Sequence, residues 1–573
     1  MKNKILFCVV AVSLSATISA QSQSKFDAMQ ERYNQFKQQA EEKYESFRDQ
    51  ANKKYANFLL TSWEKFDPQR PLPTPKDEPI PPVIFKEENR RPDIDEKILE
   101  DYYKDMVQHQ RDEEIENPDI HVDAKPIKDE FDSGKPHKGK GDKPDNKQYG
   151  KVKHENNEEI EDIPDRSFYH NIPKVDLPTV VPVVAVVHQP EPQPQPQPIE
   201  PVKQNKNVKY ERTIPLSLYG TEVTIHIPDK KLTLNGVENE QIAKAWEDLS
   251  TSDFDNVLYD CLKARKDMKL CDWAYLTLLQ TVAETLCGGK NNAAVAMQAY
   301  LYTQSGYKMR FGKTSDGRLV LLVGSKYSLY DRPYYRIGND NFFAFEAVDG
   351  SLRICPEAFD NEQALSLVIP QEQDIVYDPS PVRTLQTKKG TSAAVSINRN
   401  LIEFYDAYPS GQYGDDKGSR WALYANTPLD EGIKRTLYPA LKTAIQGKKE
   451  EDAANVLLDW VQNAFAYQYD NVVWGHDRAF FAEETMFYPY SDCEDRSILF
   501  TRLVRDLLGL DAVLIYYPGH LASAVAFNDN VHGDCVIVDG RRYTIADPTY
   551  LGAPVGYTMT GKDNATAKVI MLK

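Results

Sequence analysis

The chain has 573 residues, 41% of them hydrophobic and 27% charged, with a net charge of -17 at neutral pH. That length and apolar content allow more than one packed domain, and the acidic balance argues against nucleic acid and against acidic membrane surfaces as partners. Seven cysteines, none in a CxxC spacing, exclude a zinc-ribbon reading and require no disulfide framework.

Residues 1–20 combine Lys2 and Lys4, an apolar stretch from Ile5 to Val12 and a small-residue end at Ser19-Ala20. This is the pattern of a secretory signal peptide, cut before Gln21. Cys8 lies too early in the apolar stretch to be a lipoprotein cysteine. No later apolar run has the length of a membrane span. The expectation is an exported protein, periplasmic, secreted or at the cell surface.

Residues 21–66 are polar, helix-favouring and free of Gly and of Pro. Apolar residues recur every eleven positions: Met29-Tyr33-Phe36, Ala40-Tyr44-Phe47, Ala51-Tyr55-Phe58. An eleven-residue period nearly matches the helical turn and predicts one long helix with an aromatic stripe. The stripe needs a cover: the later domains, a second copy, or a partner protein.

Residues 67–207 hold 22 of the 36 prolines, which excludes long helices and a packed core there. Gln189 to Pro198 is nearly pure Gln/Glu-Pro and favours extended polyproline II. The stretch reads as a disordered spacer, in which apolar pieces such as Val180 to Val187 could dock on a neighbouring domain.

From 208 to 381 the pattern is that of an α+β domain. A β pattern over Lys209–Ile227 leads to helices at Ile242–Leu249, Trp273–Leu286 and Ala293–Gln304, then strands at Lys308–Phe311 and Leu319–Val323. The last unit, 382–573, opens as a loose β region to about Asn426. Helices follow at Leu429–Ile445 and Glu450–Phe465, then an aromatic stretch through Tyr467, Tyr469 and Trp474 to His476.

The chemistry concentrates after that. Ser491 reads as a helix N-cap with Glu494 three residues on, the capping-box spacing. An apolar helical run from Ile498 to Leu508 stops at Gly509. Cys493 thereby falls in the first turn of a helix, where the dipole favours a thiolate, while Asp492, Glu494 and Asp495 oppose it. Strands at Ala512–Tyr517 and Leu521–Phe527 flank a Pro518-Gly519 turn and His520. A strand at Arg541–Ala546 ends at Asp547. A thiol, an imidazole and a carboxylate in this order suit nucleophilic acyl transfer, with the sulfur as nucleophile, the ring as base and the carboxylate as its orienter.

Ser491-Asp492-Cys493-Glu494-Asp495-Arg496, Tyr517-Pro518-Gly519-His520-Leu521-Ala522 and Asp547-Pro548-Thr549-Tyr550 resemble a bacterial transglutaminase-like domain, within the broad papain-like cysteine fold. The likeness runs from about Ile397 to the C-terminus. It implies Cys493, His520 and Asp547 as the catalytic set, and acyl transfer from an amide of a peptide or protein to water or to an amine. It also implies that the helix pair and aromatic stretch form one wall of the cleft. The backbone N–H of Cys493 is the first candidate oxyanion donor, with Trp474 or Tyr490 second. No zinc motif, calcium loop or phosphate-cradling glycine loop is visible, so the reading calls for no metal or cofactor.

Two features complicate it. Counting back around the Asp539-Gly540 turn sets Asp547 opposite His532 rather than His520, so His532 is an alternative base. Residues 208–381 also repeat the helix, glycine, strand order. Aligning Gly306 with Gly509 places Lys290, or Asn291, against Cys493, which suggests a degenerate, non-catalytic copy of the same unit. No histidine lies between His226 and His476 to serve its cysteines. A non-catalytic scaffold or peptide-binding protein is therefore the competing expectation.

Overall fold

The computed structural model describes residues 28–36, 39, 47–76, 83–85, 184–188, 195–200, 202–205, 210–348, 350–414 and 417–573. The expected signal peptide, most of the middle of the eleven-residue repeat and most of the proline-rich stretch lie outside the described residues. What is described is mixed α+β, and among the described residues no helix is long and apolar enough to cross a membrane.

The aromatic stripe of the N-terminal region divides. Met29, Tyr33 and Phe36 are exposed, whereas Tyr55, Ala56 and Leu59 are buried. The Tyr55 ring packs 4.7 Å from Trp246 and 4.8 Å from Phe359. Asn52 accepts from Trp246 Nε1 at 3.2 Å and from Gln304 Nε2 at 3.0 Å. The last repeat is thus covered by the domain that follows. The helix stops after residue 61 instead of running to Phe66, because Glu64–Phe66 becomes a strand, β1. Two more short strands come from the stretch read as spacer, β2 (Val83–Ile84) and β3 (Ala185–Val187). Its described pieces are docked; of the expected Val180 to Val187 region, residues 184–187 are described and lie in or beside β3.

The first α+β unit opens with the hairpin of β4 (Tyr210–Leu218) and β5 (Thr221–Pro228). Helices α1 (Asn239–Leu249), α2 (Asp255–Asp267), α3 (Asp272–Cys287) and α4 (Asn292–Gln304) follow. The polyproline run crosses the end of α4. Arg265 donates to Pro196 O at 3.3 Å, and Gln197 O lies 2.0 Å from where a Cβ on Gly306 would stand. Gly306, at φ +91°, has room for hydrogen alone. Strands β6 (Met309–Lys313), β7 (Leu319–Ser325), β8 (Tyr334–Ile337), β9 (Asp340–Ala344) and β10 (Leu352–Cys355) then form an antiparallel sheet with β1, in the order β1-β10-β6-β7-β9-β8.

The second unit opens with a β hairpin, Arg383–Gln386 paired with Ser392–Val395, but it is not β throughout to Asn426. It holds helices Arg399–Asp406 and Ser419–Asn426, the first capped by Asn398 Oδ1 and burying Leu401, Ile402, Phe404 and Tyr405. Eight residues each, they are too short for their period to stand out. Then come α5 (Glu431–Ile445), α6 (Glu450–Asn463) and α7 (Cys493–Leu508). Strands β11 (Asp511–Tyr517), β12 (His520–Ala526), β13 (Cys535–Val538), β14 (Arg541–Ala546), β15 (Tyr550–Leu551) and β16 (Lys568–Ile570) complete it. Apart from β15, these strands join β3 in the order β3-β16-β11-β12-β14-β13.

The two sheets are strand-for-strand equivalents. Each follows a glycine-terminated helix, each has five antiparallel strands in the same order, and each takes its sixth strand from the N-terminal stretch. Only that sixth pairing differs, antiparallel for β1 and parallel for β3. Register gives the alignment: Ala344 pairs with Leu322 as Ala546 pairs with Ser523. Leu319 then corresponds to His520, and Phe345 to Asp547. The first helical residues, Asn292 and Cys493, correspond as well. This corrects the alignment on Lys290 or Asn291. The glycine alignment on Lys290 ran two residues out, because α4 is three residues shorter than α7 (13 against 16) while Gly306 stands one residue further past its helix than Gly509 does.

The units share one continuous apolar core. Tyr327–Leu329 pairs with Gly411–Tyr413 across the expected boundary near 381, and Tyr408 Oη donates to Leu367 O at 2.6 Å. Because Tyr55 is wholly enclosed, Tyr55→Ala should cost about 3–5 kcal/mol, whereas Tyr33→Ala should stay within about 0.5 kcal/mol. Urea unfolding of the full chain checks both, and equal effects would mean that the helix does not dock through Tyr55.

Candidate active site

Three segments converge on one end of the second sheet. Cys493 is the first residue of α7, but its N-cap is Asp492 and not Ser491: the Asp492 N–H donates to Asp495 Oδ2 at 3.1 Å, one residue along from the expected box. Ser491 instead accepts from Arg496 Nε at 3.2 Å. Arg496, fully buried, also donates to Gln462 O at 3.3 Å and Phe465 O at 2.8 Å. The start of α7 is thereby fastened to the end of α6.

His520 opens β12, and Asp547 follows β14. The two strands are neighbours, and Asp547 lies diagonally across the pair from His520 on the same face. His520 Nε2 and Asp547 Oδ2 are 2.8 Å apart, both residues almost fully buried. The other oxygen, Oδ1, accepts from Thr549 N and Thr549 Oγ1, each at 2.9 Å. Burial works to raise the Asp547 carboxyl, but His520 and Thr549 outweigh it and hold it below the usual carboxylate range. An ionised Asp547 takes the hydrogen of Nε2, which leaves Nδ1 with the lone pair.

The strand order explains why counting around the hairpin pointed to His532. β14 runs between β13 and β12, so Asp547 has a neighbour on each side. His532 is on the outer side and exposed, and the carboxylate turns to His520. His476 is likewise exposed, with Nδ1 3.1 Å from Trp474 O.

Cys493 is half-buried. Its Sγ donates to Glu494 Oε2 at 3.0 Å, and among the described residues no hydrogen bond joins it to the imidazole. Burial, then the Glu494 and Asp492 carboxylates, push the thiol well up, while the backbone N–H of Leu521 favours the thiolate. The balance that the sequence left open therefore falls to the protonated thiol. Ser497 Oγ, one turn on, donates to Leu521 O at 3.0 Å and holds α7 against the strand that carries His520.

Sequence reading missed Gln462. Its Nε2 donates to the carbonyls of Asp547, Tyr550 and Ala553 at 3.0, 2.9 and 3.0 Å, and Gly552 N donates to its Oε1 at 3.1 Å. A glutamine at a helix end carries no motif, so no signal in the chain could have found it.

Behind the thiol lies a buried group of carboxylates: Asp470, Asp477, Asp492, Glu494 and Asp495. In the sets Asp492–Cys493–Glu494, Asp470–Asp477–Glu494 and Asp470–Asp492–Asp495, the candidate ligand atoms lie within 4.8 Å of one another. Arg420 pairs with Asp477 at 2.6 Å, and Asp492 Oδ1 is buried without a hydrogen-bond partner. Burial and mutual repulsion push Asp470, Asp492 and Asp495 well up, and Asp477 up to about 7. Glu494 goes the other way: burial would raise it, but Arg420 and the thiol hydrogen bond lower it. These scattered residues, which no contiguous loop announced, are the ones able to hold a hard cation.

In the first unit the equivalent positions are closed. Asn292 Nδ2 donates to Gly317 O at 3.1 Å and its Oδ1 accepts from Leu319 N at 2.9 Å, which ties the helix start to the β6–β7 turn. Phe345 packs 4.8 Å from Trp273. His226 bonds Asp260 through Nδ1 at 2.6 Å, and the adjacent Cys261 is wholly buried. No family model, no curated protein and no solved structure matches this chain.

Two outcomes follow from the electrostatics. Burial also raises Glu483 to about 8 and Glu484 to about 7. Carboxyls raised on folding bind more protons in the folded state, so their stabilisation is full below the unfolded carboxyl range and is lost as pH rises through the folded values. The unfolding free energy should fall between about pH 5 and pH 8, as read by urea titration at fixed ionic strength; a rise would show these groups ionised in the fold. Asp547, lowered instead, loses its contribution only at acid pH. Second, Glu494→Gln removes the carboxylate that holds the thiol proton, so iodoacetamide should alkylate Cys493 several-fold faster at pH 8 than in the parent.

Proposed function

We propose that the chain is a cysteine acyl-transfer enzyme of transglutaminase-like type, with a papain-like second unit and a first unit that is a non-catalytic copy of it. Its substrates are amide bonds of peptides or proteins. The observation that carries this reading is the His520–Asp547 pair, 2.8 Å apart, at the sheet end that abuts the helix start bearing Cys493.

The chemistry runs on these three side chains. As Cys493 sulfur attacks the acyl carbon, its proton passes to His520 Nδ1 and a carbon–sulfur bond forms. Asp547, held ionised, stabilises the imidazolium and keeps the ring in place. The imidazolium then protonates the leaving amine as the carbon–nitrogen bond breaks. Water, activated by the same Nδ1, hydrolyses the thioester; an amine in its place gives transamidation. The N–H of Cys493, among the free amides of the α7 N-terminus, suits the developing oxyanion. Export to the periplasm or beyond belongs to the same reading.

One observation favours a second reading, a scaffold that binds peptide without turnover. The thiol bonds Glu494, and burial with the neighbouring carboxylates pushes it well up, away from the thiolate. Incubation with a peptide library and mass spectrometry separates the two. New termini, or a mass gain on peptides supplied with an amine, should form with the parent and be lost by at least about 10³-fold in Cys493→Ala. Equal product from both proteins would remove Cys493 from the chemistry, and no product from either would leave the scaffold.

A further inference from the structure

β15 is a two-residue edge strand that begins three positions after Asp547 and pairs, among the described residues, with nothing but β2. The pairing is parallel, Val83 opposite Tyr550 and Ile84 opposite Leu551, and Phe85 N donates to Leu551 O at 2.9 Å. Side chains alternate as an extended strand requires. Val83 and Phe85 pack on a small apolar cluster of Tyr550, Ala553, Met559 and Tyr557, and Ile84 is outside it. The Phe85 ring meets Tyr550 edge-on at 5.4 Å and Tyr557 at 4.7 Å.

The pocket is built independently of its occupant. Gln462 holds the carbonyls of Tyr550 and Ala553, and Tyr550 Oη bonds Thr560 Oγ1 at 3.0 Å. With Val83–Phe85 seated on them, Tyr550, Ala553 and Met559 are each at most 5% exposed. Its occupant is held lightly. Val83, Ile84 and Phe85 are only half-buried, and a ladder of two residue pairs is marginal by itself in water. Attachment to the same chain supplies the effective concentration that keeps so small a contact formed.

We propose that the β15 edge, with the pocket of Tyr550, Tyr557 and Met559, is a binding site for an extended peptide of pattern apolar–any–aromatic, and that Val83–Phe85 is its intramolecular occupant. Main-chain hydrogen bonds to β15 supply the affinity and the aromatic pocket the selectivity, the strand-addition mode of recognition. The site adjoins the candidate catalytic carboxylate through Thr549, which bonds Asp547 Oδ1. Its use in seating a substrate rests on the acyl-transfer reading above; its binding of peptide does not.

The test uses the full chain and a fluorescent peptide with the sequence of residues 80–88, Ile-Pro-Pro-Val-Ile-Phe-Lys-Glu-Glu. Phe85→Ala in the protein weakens the internal competitor, so the peptide should bind that variant at least tenfold tighter than the parent. Val83→Asp, a second way of weakening it, should act alike, and circular dichroism confirms that each variant is folded. A peptide with alanine in place of its phenylalanine should not bind, and adding Tyr557→Ala to the Phe85→Ala protein should abolish the gain. Equal binding to parent and both variants, or a gain that survives Tyr557→Ala, would overturn the proposal. Turnover is read separately: if the library assay finds a cleaved peptide, Phe85→Ala should raise kcat/KM on it. Absence of any turnover would count against the acyl-transfer reading and leave the binding result to decide this one.

Discussion

The arrangement of the second unit hangs on Gln462. Its main-chain carbonyl receives Arg496 from α7, while its side-chain amide holds the turn that runs from Asp547 to Ala553. One residue at the end of α6 thus fixes both the segment that carries the sulfur and the segment that orients the imidazole. With 3% exposure it has no water to fall back on. Shortening it would leave several buried polar groups unmade, each worth about 1–3 kcal/mol. The larger effect would be geometric, since Cys493 and Asp547 are on different elements, and Gln462 is a common point to which both are fastened.

Around that frame the electrostatics oppose the thiolate. A helix N-terminus and one backbone N–H favour the anion, yet burial and then the Glu494 and Asp492 carboxylates overcome them. Burial and mutual repulsion push Asp470, Asp492 and Asp495 up as well, whereas Arg420 and the thiol hydrogen bond lower Glu494. The thiol proton is therefore held by a carboxylate and not by the ring. Positive charge supplied to this group would weaken the hold of Glu494 on that proton and favour the thiolate.

How much of this was legible in the chain depended on the range of the interaction. Local periodicity and caps placed α3 to α7 and the strands around His520 to within a few residues, because those signals are carried by neighbours. The two eight-residue helices before α5 were hidden, since two turns are too few to show a period. The N-cap slipped from Ser491 to Asp492 because either residue could cap, and the deciding contact is the demand of Arg496 for Ser491. The pairing of Asp547 with His520 depended on strand order, which a hairpin count cannot supply: β14 turns back between β13 and β12. Gln462 and the scattered carboxylates act through space and leave no spacing to read.

The repeated sheet shows what the remaining copy needs. Both units share helix, hairpin and strand order, and both recruit a sixth strand from the N-terminal stretch, so neither sheet is complete without residues that the sequence marked as helix end (β1) or spacer (β3). In the first unit a carboxamide at the helix start bonds the hairpin turn, a leucine takes the place of the ring and a phenylalanine that of the carboxylate. Those substitutions exchange buried polar groups for hydrogen-bonded and apolar contacts, which favours packing. The second unit keeps a buried imidazole–carboxylate pair and a crowd of raised carboxyls in the same place, an arrangement that is costly to bury and gains nothing as packing. Within a single shared core, the first unit thus fills these positions with hydrogen-bonded and apolar contacts, and the second with a buried imidazole–carboxylate pair.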